Sequence, residues 1–418
     1  MHMKEENKWF KLDNAAKIYP AFASKKDPAT FRVAAVLKHD IDKDRLQEAL
    51  EKTINDFPSM AVTLKKGLFW YYLDENPRPP LVMEETSMPC AYVELKKSRG
   101  YLFHVFYHKK RVSLECFHAL TDGYGAFEFL KAILYNYFFV GEDDSIRLVG
   151  NRPEDVEDSY KKHAGLEYTE PKKTRAVHVK GRPIDREGAF VHHGVLSGSD
   201  LNKVAKSYNT TITVLLVAIY IKSIFKVTKK GPVVITVPVN LRKIFQSETL
   251  RNFSYVINVV CDQDDSIETL IPIISNQFKD QLDKEYLRGQ FTKNVAYEKK
   301  LLLKIAPTDL KSVFLRMARN NQSKKIVTSI LTNPGIVTLP EKMQTYVELL
   351  ECVLYASNPH YINMGIATYN DKMVISMSRG IEEKTLIETF FNMLNDYCPL
   401  NMRYNNEGDQ DGISSIQR

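Results

Sequence analysis

Apolar positions recur along this chain at two spacings, about every second residue and about every 3.6 residues, and the two alternate. Phe31-Arg-Val-Ala-Ala-Val-Leu37 is a short apolar run that predicts a strand. Leu46, Ala49, Leu50, Ile54 and Phe57 fall on one helical face, Asp42 stands where a cap is needed, and Pro58 ends the pattern. Leu68 to Leu73 is strand-like, and Asn76-Pro-Arg-Pro-Pro80 is a rigid turn. Tyr101–Tyr107 and Arg111–Phe117 predict a hairpin around His108-Lys-Lys110. Its second arm puts Val112, Leu114, Cys116 and then His118 on one face. A helical pattern follows from Tyr124 to Phe139.

From Asn151 to His193 the pattern dissolves into charge, proline and glycine, which predicts a long crossover. The same vocabulary then returns. A helix is expected from a cap at Ser199 or Asp200. A buried helix is expected from Thr210 or Thr211 to Phe225, and strands over Pro232–Pro238 and Phe253–Cys261. Ser266–Tyr286 is amphipathic and Phe291–Asn320 mostly helical. Strands follow over Lys325–Leu331, Leu349–Ala356, Tyr361–Tyr369 and Lys372–Ser378, and a helix over Glu382–Tyr397. At 418 residues, two domains of about 150–200 residues are expected. The boundaries read as 1–150, a crossover 151–193, a second domain 194–404 and a polar tail 405–418.

Composition narrows the class. An apolar content of 44% with 11% aromatics supports packed cores and argues against disorder. The net charge of +7 comes from 58 basic and 51 acidic residues intermingled along the chain. That suits an anionic small ligand and does not require nucleic acid, for which basic clusters interleaved with aromatics are wanting. Cys90, Cys116, Cys261, Cys352 and Cys398 are scattered without a CxxC spacing, so buried free thiols and a reducing compartment are expected. The charged start, Met1–Phe10, has no signal-like apolar stretch, and the longest apolar run, Ile212–Phe225, is short for a span and carries Lys222. A cytoplasmic protein without a membrane span is the expectation.

The candidate chemistry lies in His118-Ala-Leu-Thr-Asp122-Gly123, between the strand-like run ending at Phe117 and the helix-like run from Tyr124. An imidazole exchanges protons near neutral pH, and a carboxylate four residues on, closed by glycine, can brace the loop and leave the ring free. That suits a general base acting on a hydroxyl or amine. Asp122 also stands at an N-cap position. Gly123-Tyr-Gly125 is not a dinucleotide fingerprint, because Glu128 holds the third glycine position. His192 and His193 are adjacent, so in a strand they point to opposite faces and make a poor metal pair; no metal site is expected.

With Leu50-x-x-Thr53-Ile54-x-x-Phe57-Pro58, Val237-Pro-Val-Asn-Leu-Arg242 and Thr332-Asn-x-Gly335 in order around it, the HxxxDG motif resembles that of the CoA-dependent acyltransferase superfamily. This superfamily includes chloramphenicol acetyltransferase, alcohol acetyltransferases and peptide-synthetase condensation domains. The resemblance implies an α/β (α+β) fold of two chloramphenicol-acetyltransferase-like subdomains, each a mixed sheet flanked by helices, with a tunnel at their interface reaching His118. It implies acyl transfer from a CoA thioester, a co-substrate rather than a bound cofactor, to a small alcohol or amine, with His118 as general base and no covalent acyl-enzyme.

Asp122 is implied to be a strut paired with an arginine, for which Arg242 matches, and Gly123 to give the turn unusual dihedrals. Thr332 and Asn333 are candidates to orient substrate or stabilise an oxyanion, and equally turn formers before Pro334. The chain departs from the condensation domains in having Phe117-His118 rather than paired histidines. It departs from the plant enzymes in lacking DFGWG, to which Asn252-Phe-Ser254 is the nearest approach. What remains is similar to bacterial-type stand-alone alcohol or amine acyltransferases. A carrier-protein-borne donor and a non-catalytic binding module on the same fold are the alternatives. Lys172-Lys173 and Lys229-Lys230 are candidates for coenzyme A phosphates, against the reading of solvated surface charge.

Overall fold

The computed structural model describes residues 9–139, 152–166, 174–228, 231–300, 305–321, 325–397 and 403–404. The first half carries β1 (Trp9–Lys11), β2 (Thr30–Leu37), β3 (Val62–Lys66), β4 (Tyr71–Glu75), β5 (Val82–Glu84), β6 (Phe103–His108) and β7 (Arg111–Phe117). The second half carries β8 (Phe190–Ser197), β9 (Val233–Asn240), β10 (Ser254–Cys261), β11 (Ser329–Thr332), β12 (Val347–Leu354), β13 (Ile362–Tyr369), β14 (Lys372–Arg379) and β15 (Arg403–Tyr404). They form a sheet of order β12-β2-β7-β6-β5, a sheet of order β10-β9-β11-β13-β14-β8-β15, and a small sheet β1-β4-β3. The two large sheets are mixed: β5 with β6, β9 with β11 and β11 with β13 run parallel, and their other pairs antiparallel.

Local signals act where the chain places them. The Asp42 carboxylate accepts from the Asp44 and Arg45 N–H groups and starts Lys43–Asp56. That helix and Gly123–Phe138 lie together over the first sheet, burying Leu46, Leu50, Phe57, Phe129 and Ile133 with Val33 and Leu114. All eight residues of β2 are buried, because both faces of the strand are covered. Its one charge, Arg32, is held between Glu85 and Glu115 at 2.6 and 2.7 Å. In the second half Ile212–Thr228 is buried almost throughout, under the second sheet and the helix Thr385–Tyr397. No single helix among the described residues is long and apolar enough to cross a membrane. Cys90, Cys116, Cys261 and Cys352 are free and buried. Cys398, Lys172-Lys173, Lys229-Lys230 and the tail lie outside the described residues.

Some elements fall differently from expectation. The helix expected from Ser199 or Asp200 starts two residues sooner, because Ser197 accepts from the Asp200 N–H and serves as its cap. Ser266–Tyr286 is two helices, Ile267–Gln281 and Lys284–Lys299, the second restarted by the Asp283 cap. The larger difference concerns the strand expected over Leu349–Ala356. As β12 it leaves the second half's sheet and pairs antiparallel with β2 of the first, Cys352 opposite Val33. A strand's local pattern states its burial, not which edge it joins. There β12 lies against β13, and Gly365 makes the approach possible: a Cβ would overlap the Cys352 carbonyl. Val36, Leu349 and Val374 pack into this seam between the two large sheets.

Candidate active site

The His118 loop hangs from the end of β7 and rests on the connection between β9 and β10. Its backbone is fastened first. The His118 N–H donates to the Ala29 carbonyl at 2.9 Å. Thr121 Oγ1 donates to the Leu250 carbonyl at 2.5 Å, and Arg251 Nη1 donates to the Leu120 carbonyl at 3.1 Å. Burial pushes the Arg251 guanidinium down to about 10, with Asp13 opposing it.

Asp122 does two things at once. One oxygen accepts from the Gly125 N–H at 3.3 Å, capping Gly123–Phe138. The carboxylate also takes a two-pronged contact from Arg242, Nη1 at 2.9 Å and Nη2 at 3.0 Å, and accepts the Phe253 N–H at 2.9 Å. Arg242 is itself fully engaged: it donates to the carbonyls of Thr249 and Arg251 and to Asn240, and lies 4.5 Å over the Tyr124 ring. Both partners are about 5% exposed, so each charge depends on the other. The pair joins the loop of the first half to the helical turn after β9 in the second.

The His118 ring is set by Asn252, which the sequence offers only as part of the nearest approach to a missing motif, and by Asp13 and Tyr19, which pattern and motif do not single out. Its Nδ1 lies 3.0 Å from Asn252 Oδ1. The Asn252 amide nitrogen donates to Asp13 Oδ2 at 3.0 Å and to the His118 carbonyl at 3.1 Å. Two acceptors at that nitrogen fix which way the amide points, so its oxygen faces the ring. Nδ1 must then be the protonated nitrogen, a tautomer assigned here from the network. No hydrogen bond from a described residue reaches Nε2, which keeps its lone pair, and His118 is only partly buried. Tyr19 stacks on the ring with centroids 4.7 Å apart and planes 9° apart, and Phe31 leans against it at 4.9 Å. Burial lowers the imidazole's pKa below its ordinary value of 6.5, opposed by Asp122 and the Asn252 contact. The ring is therefore neutral at neutral pH, as a base must be. Asp13 also accepts the N–H groups of Ala16 and Asn252, yet burial outweighs these donors and lifts its carboxyl to about 6.

The remaining expected residues lie as follows. Gly123 begins the helix without a left-handed φ, and a Cβ there would meet nothing within 4 Å, so the dihedral reason for that glycine does not hold. The close approach belongs to Gly125, where a Cβ would overlap Thr121 Oγ1 and the Leu250 carbonyl. Gly125→Ala is expected to cost about 1–3 kcal/mol in denaturant unfolding and Gly123→Ala far less. Equal losses would contradict this assignment. Thr332 ends β11, opposite Gly365. Asn333 accepts from the Gly335 N–H at 3.0 Å and donates to Thr213 at 3.1 Å, so its side chain is spent on a turn. In β8, His193 meets Ser376 and His192 meets Arg379, on opposite faces. No cluster of three or more metal-ligating side chains occurs among the described residues. A cleft of about 720 Å³ opens at the seam between the halves, lined by Pro28, Cys90, Ile184, Arg186, Ser357 and Tyr361 among others. Pro28 adjoins Ala29, which holds the His118 backbone.

The chain matches no family model and no curated protein sequence. In three dimensions it is similar over nearly its whole length to several solved proteins. The trichothecene 15-O-acetyltransferase of Fusarium sporotrichioides superposes with a TM-score of 0.61 at 11% identity, covering 95% of this chain and 96% of that one. Polyketide synthase associated protein 5 from Mycobacterium tuberculosis gives 0.58 at 14% identity, covering 93% and 97%. The starter condensation domain of rhizomide synthetase, solved with C8-CoA and Leu-SNAC, gives 0.60 at 12% identity, covering 94% of each. The fold is thus that of condensation domains and of acyltransferases of this type, as the motif resemblance implies.

Proposed function

We propose that the protein transfers an acyl group from a thioester, with coenzyme A as the carrier, to the hydroxyl or amine of a small acceptor. The observation that carries this reading is the His118 ring: Nδ1–H spent on Asn252, Nε2 unbonded among the described residues, and the imidazole held neutral. Nε2 takes the acceptor's proton as its oxygen or nitrogen attacks the thioester carbonyl. The tetrahedral intermediate so formed collapses, the carbonyl re-forms as the carbon–sulfur bond breaks, and the proton passes from Nε2 to the departing thiolate. The acceptor is acylated directly. Asp122 takes no proton in this scheme, because its oxygens are committed to Arg242 and backbone N–H groups. The seam cleft beside Pro28 is taken as one approach to the loop.

The test is release of free thiol from acetyl-CoA and longer acyl-CoA donors when hydroxyl and amine acceptors are added. The likeness to condensation domains makes a phosphopantetheinyl carrier protein the second donor to try. Failure of every thioester on both carriers, with tight capture of a protein partner instead, would point to a binding module.

The network also predicts a pH profile. With a folded pKa below 6.5, the base is deprotonated at neutrality, so the rate is level there and falls only as acid protonates the ring. Asn252→Ala removes a contact that favours the charged ring, so the acid limb moves to lower pH. Loss of one ring-orienting hydrogen bond lowers turnover by about tenfold. An unchanged limb would mean that Asn252 does not set the state of the ring.

A further inference from the structure

Both tryptophans of this chain, Trp9 and Trp70, line one cleft of about 740 Å³ that shares no lining residue with the cleft at the seam. Phe69, Tyr71 and Tyr72 complete an aromatic wall, built by the small sheet β1-β4-β3 and the turn that enters β4. The wall is fixed in place. The Gly67 N–H binds the Trp70 carbonyl at 3.0 Å and closes the turn, and Trp9 meets Tyr72 edge-on with centroids 6.1 Å apart. Lys311 binds the Phe69 carbonyl at 2.6 Å, and its ammonium lies 3.9 Å from the centre of the Trp70 ring. Trp9 and Phe69 nevertheless stay 55% and 43% exposed. Rings that are held and still open to solvent offer a stacking surface to a flat ligand.

The same cleft holds an ammonium that its neighbours do not fully compensate. Lys17 and Lys161 both reach Glu298 Oε1, at 2.5 and 2.9 Å, and Glu298 Oε2 accepts from Asn14 at 3.0 Å. Lys161 has a second carboxylate, Asp158, at 3.1 Å. Among the described residues Lys17 has only Glu298, although it is 8% exposed. Burial accordingly lowers the Lys17 ammonium below its ordinary value, with Glu298 opposing. Glu298 takes one of its three N–H donors, which leaves donors for a second anion. The ammonium also lies 5.5 Å from the Trp70 ring, so an anionic group bound to it sets the rest of a ligand beside that ring. The other two charges of the lining, Lys11 and Asp74, offset each other. We propose that this cleft binds a small, flat aromatic molecule bearing one carboxylate, with the acid at Lys17 and the ring among Trp9, Phe69 and Trp70. The segment that carries Lys17 also carries Asp13 and Tyr19, so the ligand rests on the stretch that sets the His118 ring. The inference holds whichever reaction His118 performs.

The experiment is calorimetric titration of the whole chain with 2-naphthoate, 2-naphthalenemethanol and 2-naphthylmethylamine, with no thioester present. The acid is expected to bind about tenfold tighter than the alcohol, and the amine weakest. Trp9→Ala and Phe69→Ala, both at exposed rings, are each expected to weaken the acid about fivefold. Lys17→Met keeps the buried stem and removes the charge, so the acid's advantage over the alcohol is expected to vanish. Thermal unfolding checks that the variants are folded. Should Lys17→Met fail to fold, the three ligands compared on the unaltered protein carry the test of charge. Absence of binding by the acid, binding of the alcohol or the amine as tight as the acid's, undiminished affinity in the folded Trp9→Ala and Phe69→Ala variants, or an unchanged advantage in folded Lys17→Met would each overturn the proposal.

Discussion

His118→Ala is expected to leave a folded protein whose acyl-transfer rate is lower by about 10²–10⁴-fold. The fold survives because the loop is held by its backbone and its neighbours. The His118 N–H still reaches Ala29, its carbonyl still accepts from Asn252, and the anchors at Thr121, Arg251 and Asp122 are untouched. What is lost is the nitrogen that, in the proposed mechanism, takes the acceptor's proton and returns it to the thiolate. Residual transfer reflects holding donor and acceptor together, which the variant retains. The measurement is thiol release at saturating donor, with thermal unfolding alongside. Turnover within a few-fold of the unaltered protein, in a folded variant, would end the reading of His118 as base.

The second large effect is on stability. Arg242→Ala is expected to cost about 3–5 kcal/mol, because it strands the Asp122 carboxylate in a nearly water-free site. It also removes the donors that hold the Thr249 and Arg251 carbonyls, so the segment after β9 loosens with the loop. Asp122→Ala strands the guanidinium in turn and removes the helix cap. The double variant should lose less than the sum of the two, since each single change already includes the cost of an orphaned partner. Denaturant unfolding of the three variants measures this. Should Arg242→Ala fail to fold, Asp122→Asn, which keeps the cap's oxygen, supplies the comparison. A loss below about 1 kcal/mol for either single variant would show that the pair is not what joins the halves.

The comparison with the sequence divides along lines of distance. Asp42 and Pro58 mark a helix because caps and prolines act on the residues beside them, and Lys43–Asp56 stands there. The hairpin of β6 and β7 follows from two alternating runs and a short turn. Arg242 could be matched to Asp122 only through the resemblance, since 120 residues separate them. Tyr19 and Asp13 carry no signal in the sequence, because residues 12–22 have no clear period and their use depends on a partner far along the chain. Asn252 was visible only as the remnant of a missing motif. Its task, to point an amide oxygen at Nδ1, exists only once Asp13 and the His118 carbonyl claim the amide nitrogen. Gly125 illustrates the same limit: which of two nearby glycines is required depends on where the Leu250 carbonyl lies.

By itself, then, the chain determined most of its longer helices, most of its strands and the stretch that carries the imidazole, since periodicity, caps and turns work over a few residues. Tertiary structure alone decided that β12 crosses to the first sheet, that Asn252 and Asp13 hold the ring in one tautomer, and that Trp9 and Trp70 meet in one cleft. Those outcomes depend on which distant surfaces meet, and pairing across the molecule is a property of packing that no local pattern encodes.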